Sequence, residues 1–473
     1  MGNGDLLLRA LEDISGRDFV SGRQEEIYIY SRAPSGIRTG GFDYLVLPGT
    51  VSEIREIVRL AAREKIPIVP VGGGLSLSDL TIPVKGGIVM DMKRMDSIIE
   101  VNERSRYAVF EAGVTIGSLV GYLNKNHPTV RISVPDAPPS ATMCGNALIY
   151  GTGHLSRYGA HSEMINGLEA VLYNGEVCRL GNCSVSPGQA GGVTQPDLTG
   201  LFVNWFGGTG IVTRLSLKLY PRHKLRDMLI FKIENPDSIP RAVQKVTETG
   251  VMEDVLIFAM KQKESNIPMT LLQLFVTADT DQEMKLKKEI FKEMFADCRN
   301  RGNSILFVDN SLFPAKFIND LMAEPKFGIE GSVDARKGGG SAYIGASFPL
   351  EKVPAAYKKG LAISEKYGFT GPLYTIRNIG AGHSVIFTFM YPFSRADGES
   401  FETMKKASEE AAKAVQELGG VLWKASTDKQ KAIMSTMDPG ACDLMARVKK
   451  EMDPYGIFNP GNWDESGGGA FTA

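Results

Sequence analysis

The stretch PIVPVGGGLSLSDL, residues 67–80, sets three consecutive glycines directly behind a short β-branched run. Such a loop has two physical readings. Bare glycines leave backbone N–H groups uncovered, so the loop can wrap a pyrophosphate without a lysine, with Ser76 and Ser78 as further donors; it can equally be a tight turn at a sheet edge. No GK[ST] follows and the GxGxxG order is absent, so it is neither a Walker loop nor a Rossmann nucleotide site. Upstream lies SEIREIVRLAAREK. There Thr50 and Glu53 have capping-box spacing, and Ile54, Ile57, Val58 and Ala61 fall on one helical face, which makes the whole a β-α-β unit. Downstream, SIIEV and YAVFEAGV around NERSR predict a hairpin, and TIGSLVGYLNKN predicts a helix with Ile116, Leu119, Val120 and Leu123 inward. The fold expected is α+β, mixing hairpins with crossovers, not a doubly wound repeat.

Two further glycine clusters follow. PDAPPSATMCGNALIYGTGHLSRYGAHSEMINGLEAVLYNGEV has no apolar period, and so long an irregular stretch suits a cavity wall. DLTGLFVNWFGGTGIVTRLSLKL places Gly207, Gly208 and Gly210 before a strand. In all, 52 of 473 residues are glycine, against about 7% in average usage. The 53 Lys+Arg and 54 Asp+Glu are interspersed and nearly cancel, which leaves no electrostatic footprint for nucleic acid or an anionic membrane. No run of about 18 apolar residues is present, and the N-terminal stretch does not read as a signal peptide. The five cysteines, Cys144, Cys178, Cys183, Cys298 and Cys442, form no CxxC pair, which argues for a reducing, cytoplasmic setting and against a disulfide framework. After Pro221 the texture changes to longer helices, EMKLKKEIFKEMFADCRNRG, VPAAYKKGLAISEKYG and SFETMKKASEEAAKAVQELGG. They alternate with strands such as LLQLFVTA and SVIFTFMYP, a second α+β layer. The tail DESGGGAFTA reads as loose.

Taken together, PIVPVGGGLS, GGIVMDMKRMDSIIEVNERSRYAVFEAGVTIGSL, CGNALIYGTGHLSRYG, LFVNWFGGTGIVTRLSLKLYP and the closing DPYGIFNPG resemble, in order, the flavoproteins of the vanillyl-alcohol oxidase and p-cresol methylhydroxylase superfamily, which also holds D-lactate and glycolate dehydrogenases. The first half is more similar to the aryl-alcohol and alkylphenol branch than to the hydroxy-acid branch. The resemblance implies a PCMH-type FAD-binding domain of two α+β subdomains over residues 1–222, an α+β cap with an antiparallel sheet over 223–424, and a segment 425–473 returning to the FAD domain. By motif, Pro70, Gly72, Gly73, Gly74, Leu75 and Ser76 would cradle the pyrophosphate. Asp136, Gly145, Asn146, Gly153, Tyr158 and Gly159 would line the flavin side. Gly208, Gly210, Ile211 and Val212 would pass the adenine or ribityl part, and Asn459 would close the pocket.

The function implied is an FAD-dependent dehydrogenase taking hydride from an aryl or alkyl alcohol, an alkylphenol or a 2-hydroxy acid. Electrons would pass to a cytochrome, an iron-sulfur protein or an electron-transfer flavoprotein, and a homodimer or higher assembly is expected. Asp136 and His383 are the candidate proton-handling residues, each with a plain alternative: a turn aspartate before Ala-Pro-Pro and a histidine capping a strand. Arg377 and Lys424 are the candidate substrate anchors, or else ordinary surface cations, with Trp423 as an apolar wall. His154 and His161 flank the Tyr158–Gly159 loop and could approach the flavin; His127 and His223 read as surface residues. A lone histidine at 383 predicts no metal. Tyr343 is the only plausible nucleophile for covalent attachment, and noncovalent FAD is expected. The rival reading is a flavin-holding electron-transfer or scaffold subunit without a substrate, marked by loss of the ionisable cap residues.

Overall fold

The computed structural model describes residues 3–32, 40–186, 189, 191–192, 195–262, 265–295, 305–324, 339–369 and 372–464. The helix Val51–Glu64 starts where the sequence predicts: the Thr50 side chain accepts from Glu53 N, and the Glu53 carboxylate accepts from Gly49 N at 2.9 Å. Its inward Ile54, Ile57 and Val58 are fully buried, each contributing roughly 1.5–3 kcal/mol of apolar burial. Lys65 ends it in the left-handed region, turning the chain into strand Ile68–Val71. That strand pairs in parallel with Ile88–Asp91, which pairs in parallel with Tyr44–Val46. The predicted hairpin pairs Ile98–Asn102 with Tyr107–Glu111 inside an antiparallel five-stranded sheet, and Ile116–Asn126 buries the four residues expected.

One expectation changes in the glycine-rich stretch. Irregular backbone is expected ahead of a strand and a turn at Asn174 and Gly175; the strand is Ile165–Val171, yet within the loop Met143–Leu148 is a short helix, begun by the Thr142 hydroxyl accepting from Gly145 N at 3.3 Å. Its one turn is too short to declare a period. The helix expected over EMKLKKEIFKEMFADCRNRG is present as Asp281–Met294; residues 296–304, Cys298 among them, and the tail from 465 lie outside the described residues.

Strands from Leu225–Ile233 to Val421–Trp423 form one antiparallel eight-stranded sheet. Period-2 alternation gives it two unlike faces. Tyr374, Ile376, Phe387, Phe389 and Tyr391 are buried in the apolar core that includes residues of the helices Ile239–Glu248, Val353–Lys366 and Gly398–Glu417. Leu256, Thr375, Arg377, Ile386, Thr388 and Met390 face the other way and roof a cavity. The C-terminal segment lies beside the glycine loop: Ile68 N donates to Ile457 O at 2.7 Å and Asn459 N to Ile68 O at 2.8 Å. Lys449 Nζ ties Asp453, Phe458 O and Gly208 O together. Among the described residues no helix is long and apolar enough to cross a membrane. Cys144, Cys178, Cys183 and Cys442 are free thiols.

Candidate active site

Between the two α+β layers lies a cavity of about 700 Å³, within the range of small-molecule and cofactor sites. The phosphate-loop candidates Pro70, Gly72, Gly73, Gly74, Leu75 and Ser76 line one wall. A Cβ at Gly72 would stand 2.2 Å from Thr142 Oγ1, and one at Gly73 would stand 2.9 Å from Ala141 Cα. The glycines let residues 72–73 lie directly on the 140–142 backbone, and that close stacking is what builds the wall.

Gly145, Asn146, Gly210, Val212 and Asp136 also line the cavity. Six other candidates do not, each for a local reason. Ile211 points to the opposite face of its strand from Val212 and is fully buried. Gly153 lies a layer behind, bridged to Pro135, its carbonyl accepting from Arg377 Nη1 at 3.1 Å. Tyr158 is exposed and stacks on Tyr220. Gly159 is positive-φ and packed on Glu163, and the Gly208 carbonyl accepts from Lys449. Asn459 ties the loops instead, its Nδ2 donating to Leu80 O and Phe206 O.

His383 sits exposed in the turn after Ile379, outside the cavity lining. Its position at the end of a strand is what the sequence showed; that the strand's end points away from the cavity is a tertiary fact. Arg377 is in the lining but is not a free anchor. Its guanidinium is held by Asp136 and by Asp254 Oδ2 at 2.5 Å, with the side chain 5% exposed. Burial pushes this group down, and Asp136 and Asp254 more than offset it, leaving it raised.

Lys424 differs in kind. It lines the cavity at a positive φ of 51°, a backbone state concentrated at functional sites. Its Nζ lies 3.9 Å from the centroid of the Trp423 ring, and Trp423 is fixed by its Nε1 donating to Tyr150 O at 2.8 Å. Gly345 makes room for that ring, since a Cβ there would stand 2.6 Å from it. Among the described residues no carboxylate is within ion-pair distance of this ammonium. Burial pushes Lys424 down to about 7, opposed only by Asp136 across the cavity.

Sequence reading missed the second half of the Asp136 environment. Asp136 Oδ1 meets His154 Nε2 at 2.9 Å, and His154 Nδ1 meets Glu324 Oε1 at 2.6 Å. Glu324 and Glu253 are both held by Arg131 and Arg226. A period-2 reading of YTIRNIG would have placed Thr375 and Arg377 on one face; nothing local signals that Glu253, Asp254 and Glu324 come to it. His161, fully buried, points Nδ1 at Asn146 Oδ1 at 2.6 Å. Burial, and then Lys424, push it down to about 3, so its ring is neutral.

Residues 42–181 match the family described as FAD binding domain, and residues 315–463 the family described as FAD linked oxidases, C-terminal domain. The chain belongs to the vanillyl-alcohol oxidase and p-cresol methylhydroxylase superfamily. It is 24% identical over 441 residues, 88% of this chain and 90% of the relative, to an uncharacterized FAD-linked oxidoreductase of Mycobacterium tuberculosis. Over 463 residues, 87% of this chain and 86% of the relative, it is 24% identical to the 4-cresol dehydrogenase [hydroxylating] flavoprotein subunit of Pseudomonas putida. The structure of a 4-ethylphenol oxidase from Gulosibacter chungangensis superposes with a TM-score of 0.81 at 19% identity, covering 98% of this chain and 97% of that one. As a member of this superfamily the chain is an FAD-linked oxidoreductase with an α+β fold and antiparallel sheets. The cavity fits the cofactor: its wall is bare glycine backbone edged by Ser76 and Thr142 hydroxyls, and a side chain at Gly72, Gly73 or Gly145 would collide with the 140–142 segment.

Proposed function

We propose that this protein is an FAD-dependent dehydrogenase oxidising an aryl or alkyl alcohol or an alkylphenol. Lys424 is the proton acceptor, and the glycine loop Gly72–Ser76 holds the cofactor pyrophosphate. One observation carries the reading: an amine with no carboxylate partner among the described residues, held down to about 7, faces an otherwise largely apolar cavity. A base tuned close to neutral pH is what general-base catalysis favours. FAD supplies the two-electron acceptor for the substrate's C–H hydride. Trp423, Ile386, Met390 and Leu256 give an apolar body a place to lie, Asp136 accepts a hydrogen bond, and neutral Lys424 takes the hydroxyl proton as the carbonyl forms. The hydroxy-acid alternative is less favoured because Arg377, one of two arginines in the lining with Arg395, is spent on Asp136 and Asp254, whereas a carboxylate would want a bidentate group of its own. The substrate-free subunit would have shed its ionisable cap residues, whereas Lys424 and Arg377 both line the cavity.

Electrons then pass to a protein acceptor, a reading supported by the relative named as a flavoprotein subunit. The test is an anaerobic single-turnover screen with 4-cresol, vanillyl alcohol, lactate and glycolate, following flavin absorbance. Bleaching by the aromatic donors is expected; absorbance unmoved by all four would remove the dehydrogenase reading.

We further propose noncovalent FAD. Tyr343 faces the cavity, and burial pushes its phenol up to about 12, with a Ser78 hydrogen bond only partly offsetting it. A phenol held neutral is a poor nucleophile. Acid precipitation should leave a colourless pellet and a yellow supernatant. A yellow pellet would show the bond exists.

A further inference from the structure

The loop over residues 204–208 runs through a backbone region that side chains disfavour. Asn204, Phe206 and Gly207 have φ of 60°, 54° and 78°. The C-terminal stretch that lies against it does the same: Asn459, Gly461 and Trp463 have φ of 36°, 95° and 51°. Glycine takes this region freely and asparagine tolerates it, whereas the bulky Phe206 and Trp463 resist it. Such states persist only where the surroundings fix them, and they cluster at active sites and ligand clamps.

The C-terminal segment does the fixing. Trp463 Nε1 donates to Asn204 O at 2.7 Å, Asn459 Nδ2 to Phe206 O at 2.6 Å and Lys449 Nζ to Gly208 O at 2.5 Å. Every second carbonyl of the loop is thus drawn to a side chain outside the cavity lining, while Phe206 and Gly207 are part of that lining. The Phe206 ring stacks on the Trp463 indole, with centroids 6.0 Å apart and planes at 19°. A carbonyl oxygen is the negative end of a peptide dipole and suits an anionic pyrophosphate badly. With three of them engaged by donors, the loop offers the cavity an aromatic ring and bare glycine. The hold extends to the first glycine loop: Asn459 Nδ2 also donates to Leu80 O at 3.0 Å, and a Cβ at Gly207 would stand 2.5 Å from Pro70 Cγ. Behind Trp463, the buried Gln430 accepts from Trp463 N at 2.8 Å, which pins that residue's backbone as well.

We propose that Trp463, Asn459 and Lys449 are positioning residues for the cofactor: they hold the 204–208 loop in its left-handed backbone and so set the cavity wall against which FAD binds. They act through the loop's carbonyls and do not line the cavity themselves. Released from them, the loop relaxes toward negative φ while the sheets beneath it keep their pairing, and the loss appears as weaker FAD binding. The inference rests on the FAD reading of this cavity and not on the choice of substrate.

The test is FAD affinity, which needs no substrate: deflavinated protein is titrated with FAD while the quenching of flavin fluorescence is followed. Should acid precipitation show a covalent bond, the flavin carried per purified chain is measured in its place. Trp463→Phe keeps the ring against Phe206 and loses one donor, and it should weaken FAD binding about fivefold, the worth of one hydrogen bond. Asn459→Ala loses two and should weaken it about tenfold or more. Ile57→Ala, which empties part of the core of the same layer, is the control for general destabilisation. Its urea midpoint should fall while its FAD affinity stays within about twofold of the parent's. Trp463→Phe should do the reverse, losing affinity while the midpoint of the FAD-free protein moves less than the control's. Both loop-holding variants binding FAD within about twofold of the parent, or Ile57→Ala losing as much affinity as Trp463→Phe, overturns the proposal. Trp463→Phe decides it alone if Asn459→Ala does not fold. A parent that takes up no FAD removes the cofactor reading and this proposal with it; unchanged affinity in variants of a parent that does bind removes only the positioning role.

Discussion

Replacing Lys424 with methionine is expected to lower kcat/KM by about 10²- to 10⁴-fold, the range lost with a positioned general base, while FAD remains bound. The parent's kcat/KM should rise tenfold per pH unit below about 7 and level off above it, because only the neutral amine accepts a proton and burial holds Lys424 at about 7. The variant should lose that limb. Lys424→Arg separates the two roles open to this cation. A guanidinium supplies charge but does not deprotonate at these pH values, so it should fail to rescue if Lys424 is a base. Rescue by arginine, or an activity that falls as pH rises through 7, would make Lys424 an anion anchor instead.

The second large effect is on stability. Arg377→Met strips the shared cation from Asp254, which is fully buried, and from Asp136. Breaking a buried pair by removing one partner costs about 3–5 kcal/mol, since the remaining charge stays desolvated. The urea midpoint should drop accordingly. Adding Asp254→Asn should recover a good part of the loss, because the most buried orphan charge is then gone. A single variant within about 0.5 kcal/mol of the parent, the range of ordinary surface changes, would falsify the view that this arginine locks the cap in place. Lys424→Met, which breaks no ion pair among the described residues, should leave the midpoint nearly unchanged, so the two variants separate chemistry from scaffold.

Local signals were enough for much of the FAD-binding layer. Thr50 and Glu53 capped the helix they promised, and Ile54, Ile57 and Val58 turned inward because a 3.6-residue period has one apolar side. The same locality explains the misses. Ile211 and Val212 are neighbours in the motif but lie on opposite faces of a strand, so only Val212 reaches the cavity. Gly153 and Gly159 are glycines for the sake of Val134 and Glu163, contacts internal to the loop. His383 sits at a strand end that points to solvent, and Arg377, read as a substrate anchor, is occupied by two carboxylates.

What the sequence determined alone is the α+β class, the three glycine clusters and the superfamily they mark. Each is written in short runs whose backbone needs are local: positive φ, bare Cα, period 2 or 3.6. Tertiary structure decided which of these groups share a cavity and in what charge state. Lys424 is a candidate base only because burial strips its water and, among the described residues, no carboxylate pairs with it. Asp136 is met on its two oxygens by Arg377, more than two hundred residues away in sequence, and by His154, backed by Glu324. Desolvation and Coulomb energy depend on distance in space, and that distance is set by how the cap sheet comes down on the glycine loop, which no stretch of the chain encodes by itself.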